Sequence, residues 1–354
     1  MSWTRTRRWL NVIGGFGLAA LLLWLFFRRV DAEALGRSLI RADLRLLALA
    51  LVTNTLSLAA RSWRWQVLLR PIKPGIGFQP CWKYFNVGFA VSSLLPGRLG
   101  ELIRPYLLAR DQGIRFGASL ATVVVERVLE LSIVLGLLST AFFVPAVLGP
   151  RANEPEAAGI IDVIEGVALA ALFVAAGTAA FLVALRTRTR AALEIIGRLT
   201  RPLPKEISVW TTELVQSFAQ GIAGLKGPRQ VFELAASTVL SWIVLLVGYW
   251  IQLAAFGIHV PFLHVCFLTS VLALGVVVPT PAGTGTFHAA MFVVVGELWT
   301  YSRGHYESVA GCAIVSHLIA VIPILVFGVH ALVRDGIDVF AAADQARGSS
   351  HEAS

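Results

Sequence analysis

Long apolar runs separated by short polar segments make up most of this chain. The stretch from Leu234 to Gly296 contains no Asp, Glu, Lys or Arg, and it is about three times as long as the roughly 20 residues that cross a bilayer as a helix. Six runs are long enough for complete spans, at residues 9–27, 44–61, 118–148, 160–185, 231–256 and 308–332. The pattern predicts an all-α polytopic membrane protein with about six full spans.

Two further apolar regions, 83–115 and 263–299, are each interrupted near the middle by Pro and Gly. The interruptions lie at Leu95 to Gly100 and at Pro279 to Gly285. Because Pro and Gly end helices or make them turn, we predict that each region is a re-entrant hairpin of two half-helices. Two ordinary spans with proline kinks are the alternative interpretation.

The two interrupted regions stand in similar surroundings but are predicted to enter the membrane from opposite sides. Each follows one span and precedes another, within units at about 44–148 and 231–332. This arrangement is typical of inverted repeats, which place a substrate site near the midplane where broken helices meet. We therefore treat residues 1–335 as one transmembrane domain and 336–354 as a disordered tail.

The charge pattern predicts how the chain is oriented. Hydrophobic residues form 56% of the chain and charged residues 14%, and the net charge is +9. In a soluble protein this charge would favour nucleic acid as a partner, but here it marks cytoplasmic loops. Segments 61–83 and 186–230 are basic and 149–165 is acidic, so we predict cytoplasmic termini and an amphipathic cytoplasmic segment at 186–230. Residues 28–45, predicted outside, carry five arginines and run against this rule.

Cofactor motifs are missing from the sequence. The three cysteines have neither CxxC spacing nor histidines at metal-ligand intervals, so we predict neither a disulfide nor a metal site. A phosphate-binding GxxxxGK[ST] pattern is also missing, which argues against direct use of ATP. We predict no cofactor.

Charged residues stand out in the first interrupted region. Arg98, Glu101 and Arg104 are spaced three apart, so they share one helix face. The following span adds Glu126 and Arg127, and Glu130 one turn later. An unpaired charge at membrane depth costs about 2.5 to 3.5 kcal/mol on insertion scales. These side chains are therefore expected to be paired, hydrated or close to the interface.

Two interpretations of these charges are open. They form an ion-pair network that only stabilises the fold, or they bind an anionic headgroup. Arginine suits phosphate because its guanidinium donates two parallel hydrogen bonds, and Gly100 would let backbone N–H groups approach the same phosphate. We favour the headgroup site, because a stabilising network alone needs no glycine-rich break beside it.

The second interruption, from Pro279 to Gly285, contains no charged residue. Its candidate ligand-binding residues are Gly283, Gly285, Thr286 and His288, which offer backbone, hydroxyl and titratable groups. A single histidine in an apolar helix is more often a hydrogen-bonded packing residue than a proton carrier. Trp65, near a predicted span end, is interpreted as an interfacial anchor.

These motifs together resemble a known family. The string PGRLGELIRPYLL at 96–108, then Ser119 and ERVLE at 126–130, and later PAGTG at 281–285 resemble the lysylphosphatidylglycerol synthase transmembrane-region family, also called flippase-like domain proteins. The resemblance covers about residues 10 to 335. This family usually has Asp where Glu130 stands, and a Gly-Gly pair and a later acid where Ala282 and His288 stand.

The resemblance implies movement or binding of a lipid. In the best-understood member type, the multiple peptide resistance factor, such a membrane domain is joined to an aminoacyl-transferase domain and moves the modified lipid to the outer leaflet. Because the present chain ends soon after its last predicted span, we expect no transferase domain here. The implied location is the plasma membrane, specifically a bacterial inner membrane.

The leading hypothesis is a lipid translocase without catalytic residues, acting on an anionic phospholipid or a polyprenyl-phosphate-linked lipid. Two alternatives remain: a membrane-embedded lipid-phosphate transferase with Glu101, Glu126 or His288 as general base, and a scaffold that docks a partner glycosyltransferase or lipid synthase through 186–230. The predicted substrate-binding residues are Arg98, Gly100, Glu101, Arg104, Glu126, Arg127, Gly283, Gly285, Thr286 and His288.

Overall fold

The computed structural model describes residues 31–94, 99–149, 228–275, 280–299 and 306–337, with scattered positions at 21–24 and 158–180. Within these residues the protein is all-helical, as predicted, and contains no strand. Several predicted features lie wholly or mostly outside the described residues, namely the spans at 9–27 and 160–185, Arg98, the segment 186–230 and the tail at 336–354.

The first group of helices precedes the long undescribed segment. Its members are α1 (Ala32–Arg41), α2 (Leu44–Leu69), α3 (Phe78–Leu94), α4 (Gly100–Gln112), α5 (Phe116–Leu138) and the short α6 (Thr140–Phe143), followed by a 3-10 turn at Pro145–Leu148. The second group consists of α7 (Pro228–Ala255), α8 (Phe262–Gly275), a 3-10 turn at Pro281–Gly283, α9 (Thr286–Met291), its π-helical continuation Phe292–Trp299, and α10 (Tyr306–Arg334).

Local sequence explains where several of these helices begin and end. The carboxylate of Asp31 accepts from the backbone N–H of Ala34 at 2.8 Å and caps α1. Asp43 caps α2 in the same way, through the N–H of Arg45 at 2.8 Å. Gly113 ends α4 in the left-handed conformation, with φ 62°.

Among the residues that the structure describes, three helices are long and apolar enough to cross a membrane, namely α2, α7 and α10. The bounds of α7 and α10 lie close to the predicted spans at 231–256 and 308–332. α2 differs from its prediction, because it continues about two turns past residue 61 to Leu69. Trp65, Leu68 and Leu69 are buried on that extension, so side-chain packing continues the helix where the apolar run is broken by arginines.

Helix packing joins the two groups. α2 packs along α7, α3 contacts both α4 and α10, and α5 contacts both α4 and α8. The crossing of α3 and α4 is very close, since a Cβ atom built on Gly100 would lie 1.7 Å from the carbonyl oxygen of Gly88. A residue without a side chain is therefore required at this crossing.

A proline in α10 creates a second link between the groups. Pro323 lies inside the helix and has no N–H, so the carbonyl of Ile319 lacks its usual intrahelical donor. Nδ2 of Asn54 in α2 donates to that carbonyl at 2.8 Å. An unsatisfied carbonyl is costly where water is absent, and the side chain of Asn54 supplies the missing hydrogen bond.

Two clusters of buried apolar side chains form the core. The larger cluster is built mainly from α7, α8, α9 with its continuation and the first half of α10. The smaller is built from the end of α2, α3 and α4, with Trp65, Phe85 and Leu108 fully buried. The smaller cluster forms the apolar wall of the charged site described next.

Candidate anion-binding site

Seven charged side chains converge beside the smaller core cluster. We call them the arginine cluster: Arg61 and Arg64 of α2, Glu101 and Arg104 of α4, and Glu126, Arg127 and Glu130 of α5. The helices α2, α4 and α5 thus bring together residues that are far apart in the sequence.

Glu126 lies at the centre of this cluster and is fully buried. Its Oε2 accepts from Nη2 of Arg104 at 3.2 Å, and its Oε1 lies 3.5 Å from Nη1 of the same residue. Nη2 of Arg64 approaches Oε1 of Glu126 at 3.3 Å. One carboxylate therefore holds two buried guanidinium groups from different helices.

Glu130 binds three arginines. Its Oε1 accepts from Nη2 of Arg61 at 2.7 Å and from Nη2 of Arg64 at 2.6 Å. Its Oε2 accepts from Nη1 of Arg127 at 2.7 Å. Arg64 consequently bridges Glu130 and Glu126, which joins the two carboxylates into one network.

Glu101 occupies the edge of the cluster. Its side chain is about one-third exposed, and its Oε1 lies 3.9 Å from Nε of Arg127. Glu101 and Arg104 are three residues apart on α4, and the carboxylate that contacts the guanidinium of Arg104 at 3.2 Å is that of Glu126. Helix α5, which packs against α4, thus supplies the buried carboxylate of Glu126, whereas Glu101 lies nearer the surface.

Aromatic rings enclose the guanidinium of Arg104. Its Cζ lies 4.7 Å from the ring centroid of Trp65 and 5.0 Å from that of Phe85, within cation–π range. The indole N–H of Trp65 donates to Oγ1 of Thr122 at 2.8 Å, which fixes the ring. Trp65 is fully buried, so its interpretation as an interfacial anchor is wrong; the extension of α2 carries it inward.

The cluster has more positive charge and more donors than its glutamates can use. Four arginines face three glutamates, an excess of one positive charge. Among the described residues, Nε and Nη1 of Arg64 and Nε of Arg104 are buried and have no hydrogen-bond acceptor. Buried donors without partners are rare and call for an explanation. An anion that accepts from these groups would satisfy both the charge and the donors.

Gly100 and Arg98 precede this cluster in the chain. Gly100 is buried against Gly88 of α3, so the described role of this glycine is helix packing, one turn before Arg104. Its predicted part in substrate binding stays a prediction. Arg98 lies outside the described residues.

The predicted residues of the second interruption lie in and after a tight turn. Gly283 and Gly285 have positive φ angles of 70° and 88°, and Oγ1 of Thr286 donates to the carbonyl of Gly283 at 3.0 Å. Both glycines, Thr286 and His288 are buried. The Pro281–Gly283 turn packs against α3, which brings the second interruption beside the helix that precedes the first interruption.

His288 forms a pair with a histidine of α10. The ring centroids of His288 and His317 are 5.0 Å apart, and Nε2 of His317 lies 3.5 Å from Oγ1 of Thr284. Phe287 contacts His317 and also Tyr249 of α7. The ring of Phe287 therefore joins the histidine pair to α7.

Comparison with known families agrees with this architecture. The family described as Lysylphosphatidylglycerol synthase TM region matches residues 12–328. The chain belongs to this family. The match includes every residue of the arginine cluster and of the histidine pair.

Two known proteins are similar to this chain at low sequence identity. Glycosyltransferase AglD of Haloferax volcanii is 22% identical over 98% of the present chain, which spans only 58% of that protein. A UPF0104 membrane protein of Methanothermobacter thermautotrophicus is 24% identical over 79% of the present chain and 83% of its own length.

Sequence reasoning missed part of the site in this member of the family. Arg61 and Arg64 were assigned to a cytoplasmic loop, and Glu130 was not among the predicted binding residues. One sequence pattern could have indicated all three residues, namely charged residues three or four apart within apolar sequence. Arg61 and Arg64 are three residues apart with no acid nearby, and Glu130 is four residues from Glu126. That spacing puts each pair on one helix face.

Proposed function

We propose that this protein moves a phosphate-bearing lipid, or a lipid-linked intermediate, between the leaflets of the membrane. The observation that carries the proposal is the arginine cluster, in which buried guanidinium donors lack acceptors among the described residues of a membrane protein. Guanidinium groups bind phosphate through parallel, charge-assisted hydrogen bonds. A lipid phosphate is the anion most available to a site inside a membrane protein.

The geometry supports a simple binding step. The phosphate accepts from the free Nε and Nη1 of Arg64 and the free Nε of Arg104, while the acyl or prenyl tails stay in the lipid. Glu126 and Glu130 hold these arginines in place before the lipid arrives. Because both carboxylates compete with the phosphate for the same guanidinium groups, they also favour its release.

We further propose that the two helix groups are inverted repeats with re-entrant half-helices. If α2, α3, α4 and α5 correspond in order to α7, α8, α9 and α10, then the α3–α10 contact in one unit corresponds to the α8–α5 contact in the other. Both contacts are present. α3, α4 and α8 contain 17, 13 and 14 residues, fewer than the roughly 20 needed to cross a bilayer. Both observations support a substrate path between the units.

The proposed orientation has both termini in the cytoplasm of a bacterial inner membrane. Arg70 at the end of α2 pairs with Glu233 near the start of α7, and Lys83 of α3 pairs with Asp335 after α10 at 3.0 Å. These pairs put the ends predicted to be cytoplasmic beside one another. The basic residues Arg70, Lys73 and Lys83 still mark this side after Arg61 and Arg64 are assigned to the cluster.

The test is translocation of a fluorescent phosphatidylglycerol in liposomes that contain the purified protein, measured by the rate at which a membrane-impermeant quencher gains access to the probe. Arg104→Lys keeps the charge but removes the planar fork, so we expect transport at least about tenfold slower. The matched control is Arg45→Lys, at an exposed arginine of α2, which should keep the wild-type rate.

Equal rates for wild type and Arg104→Lys, with both variants folded, would contradict the proposal. Lipid mass spectrometry separates the transferase alternative, because an enzyme changes the mass of its lipid and a translocase changes only its leaflet. A new lipid mass that depends on Glu126 would favour the enzyme.

A second candidate function is supported by the likeness to a protein named as a glycosyltransferase. Nearly the whole present chain aligns with 58% of that relative, so the shared part is a membrane module beside a further region. As a scaffold, this protein would dock a partner glycosyltransferase through segment 186–230. Deletion of 186–230 would then abolish function, whereas Arg104→Lys would leave it intact.

A further inference from the structure

We infer that the narrow cleft between α2, α7 and α10 binds the hydroxyl groups of a polyol or sugar headgroup whose phosphate lies on the arginine cluster. The inference rests on the proposed function, because it names the lipid class that the same path would take. It is argued from the lining of the cleft, from one buried amide and from the position of the cleft relative to Arg61.

The polar side chains that line this cleft are all uncharged. They are Asn54 of α2, Tyr249 and Gln252 of α7 and Ser316 of α10. Amides and hydroxyls both donate and accept hydrogen bonds, and so do the hydroxyls of a polyol. A cleft for a second phosphate or a carboxylate would instead need cations, and none lines it.

Gln252 carries the strongest signal in the cleft. Its side chain is 4% exposed, and its Oε1 has no hydrogen-bond donor among the described residues. A buried amide oxygen without a donor is destabilising, and native structures rarely keep one without a reason. A ligand hydroxyl that donates to Gln252 supplies the missing hydrogen bond.

The cleft lies beside the arginine cluster along α2. Asn54 and Arg61 are seven residues apart on this helix, which puts them on nearly the same face and about 10 Å apart along its axis. Arg61 is one turn from Arg64 on α2, and Arg64 supplies two of the proposed phosphate donors. A phosphate held there therefore directs an attached sugar or polyol towards the amides.

The cleft is closed in this conformation. Its lining residues leave no space that would admit even a water molecule. A Cβ atom on Gly248 would lie 2.8 Å from Oγ1 of Thr53, so α2 and α7 are in close contact here. A headgroup can enter only when these helices separate, as expected where two units rock about a central site.

The experiment compares lipids of equal charge that differ in hydroxyl groups. Fluorescent phosphatidylglycerol and phosphatidylinositol carry hydroxyls, whereas phosphatidylmethanol has the same phosphodiester without them. We expect wild-type protein in liposomes to move the hydroxyl-bearing lipids at least about tenfold faster, because a site built to hydrogen-bond hydroxyls disfavours analogues that lack them.

Gln252→Leu should remove that preference. The variant is expected to slow both hydroxyl-bearing lipids to the phosphatidylmethanol rate and to leave that rate unchanged. Ser316→Ala, a smaller change in the same cleft, should reduce the preference by a few fold if Gln252→Leu fails to fold. The matched control is Ser241→Ala on α7, whose hydroxyl donates to the carbonyl of Thr238 at 2.8 Å, away from the cleft.

Equal wild-type rates for all three lipids, or an equal slowing of all three by Gln252→Leu, would overturn the cleft inference and leave the proposed function standing. If no lipid moves, the proposed function fails. Native mass spectrometry of the detergent-solubilised protein then decides the inference by itself, because a Gln252-dependent preference for binding phosphatidylinositol over phosphatidylmethanol would support it and equal binding would overturn it.

Discussion

The two interrupted regions have the same order of helices but opposite chemistry. The first is followed by arginines and glutamates that form one buried network, and the second by threonines and a histidine pair joined through neutral contacts. If both sides bound phosphate through arginines, a headgroup would be held too tightly to leave. Under the proposed function, the charged side would capture the headgroup and the neutral side would only guide it, which allows both entry and release.

The largest effect is expected from removing the central carboxylate on the charged side. Glu126→Gln leaves Arg64 and Arg104 buried beside a neutral amide, so we expect a loss of about 3 to 5 kcal/mol in unfolding free energy. The measurement is thermal or denaturant unfolding in detergent, followed by size-exclusion chromatography.

The double variant Arg104→Gln with Glu126→Gln tests the same pair by restoring charge balance. It should recover more than half of the lost stability while lipid transport stays abolished. Recovery of transport together with stability would mean that the network only stabilises the fold.

The helix crossings of the two units differ in how much space they leave. Gly100→Ala would bring a methyl group 1.7 Å from a backbone oxygen, whereas in Gly275→Ala the nearest atom would be 3.5 Å away. We expect Gly100→Ala to destabilise the protein by about 1 to 3 kcal/mol or more. Gly275→Ala should be neutral or stabilise by up to about 1 kcal/mol. Unfolding of the two variants in parallel checks the difference, and equal effects would contradict the close α3–α4 crossing.

The neutral side should tolerate substitution better than the charged side. His288→Phe keeps an aromatic ring of similar volume beside His317, so we expect a loss below about 1.5 kcal/mol. Transport should fall by less than about fivefold, because neutral hydrogen bonds are weaker than charge-assisted ones. The liposome assay compares this variant with Arg104→Lys, and a larger loss for His288→Phe would reverse the assignment of the two sides.

The smallest effect is expected at the ion pair that joins the ends of α3 and α10. The Arg334 guanidinium and the Lys83 ammonium lower the pKa of Asp335 from 3.8 to about 2. A lowered carboxyl pKa stabilises the folded state above the ordinary pKa, and this contribution is lost as pH falls from about 4 towards 2. Asp335→Asn should lower the melting temperature by about 1 °C or less near neutral pH, since exposed pairs contribute little. Parallel melts at pH 7 and pH 3 check this, with the difference from wild type expected to shrink at the lower pH.

Much of the fold was accessible from the sequence, because hydrophobic length alone limits membrane helices. The bounds of α7 and α10 and the turn at Pro281–Gly283 lie within a few residues of the predictions, whereas the first interruption lies mostly outside the described residues. The predicted end of α2 was wrong because the apolar run stops at Arg61. The helix continues to Leu69, since Arg61 and Arg64 pair with Glu130. The spans at 9–27 and 160–185 stay predictions.

The site was only partly accessible for the same reason. The spacing of charged residues along the chain indicated Arg104 and Glu126 as candidate binding residues, because residues three or four apart share a helix face. The partner of Arg64 is 66 residues away, at Glu130, and no local spacing indicates a contact of that kind. Pairing between helices depends on which faces meet, and that is decided by tertiary packing.

The hydrogen bond from Asn54 to the carbonyl freed by Pro323 has a consequence for how this protein can change over time. Without the proline, the backbone N–H of residue 323 would also donate to the carbonyl of Ile319 and would compete with the amide of Asn54 for it. Without the asparagine, that carbonyl would be left bare. Each substitution alone is therefore unfavourable, and the two positions, on helices separated by most of the chain, are expected to covary among related sequences.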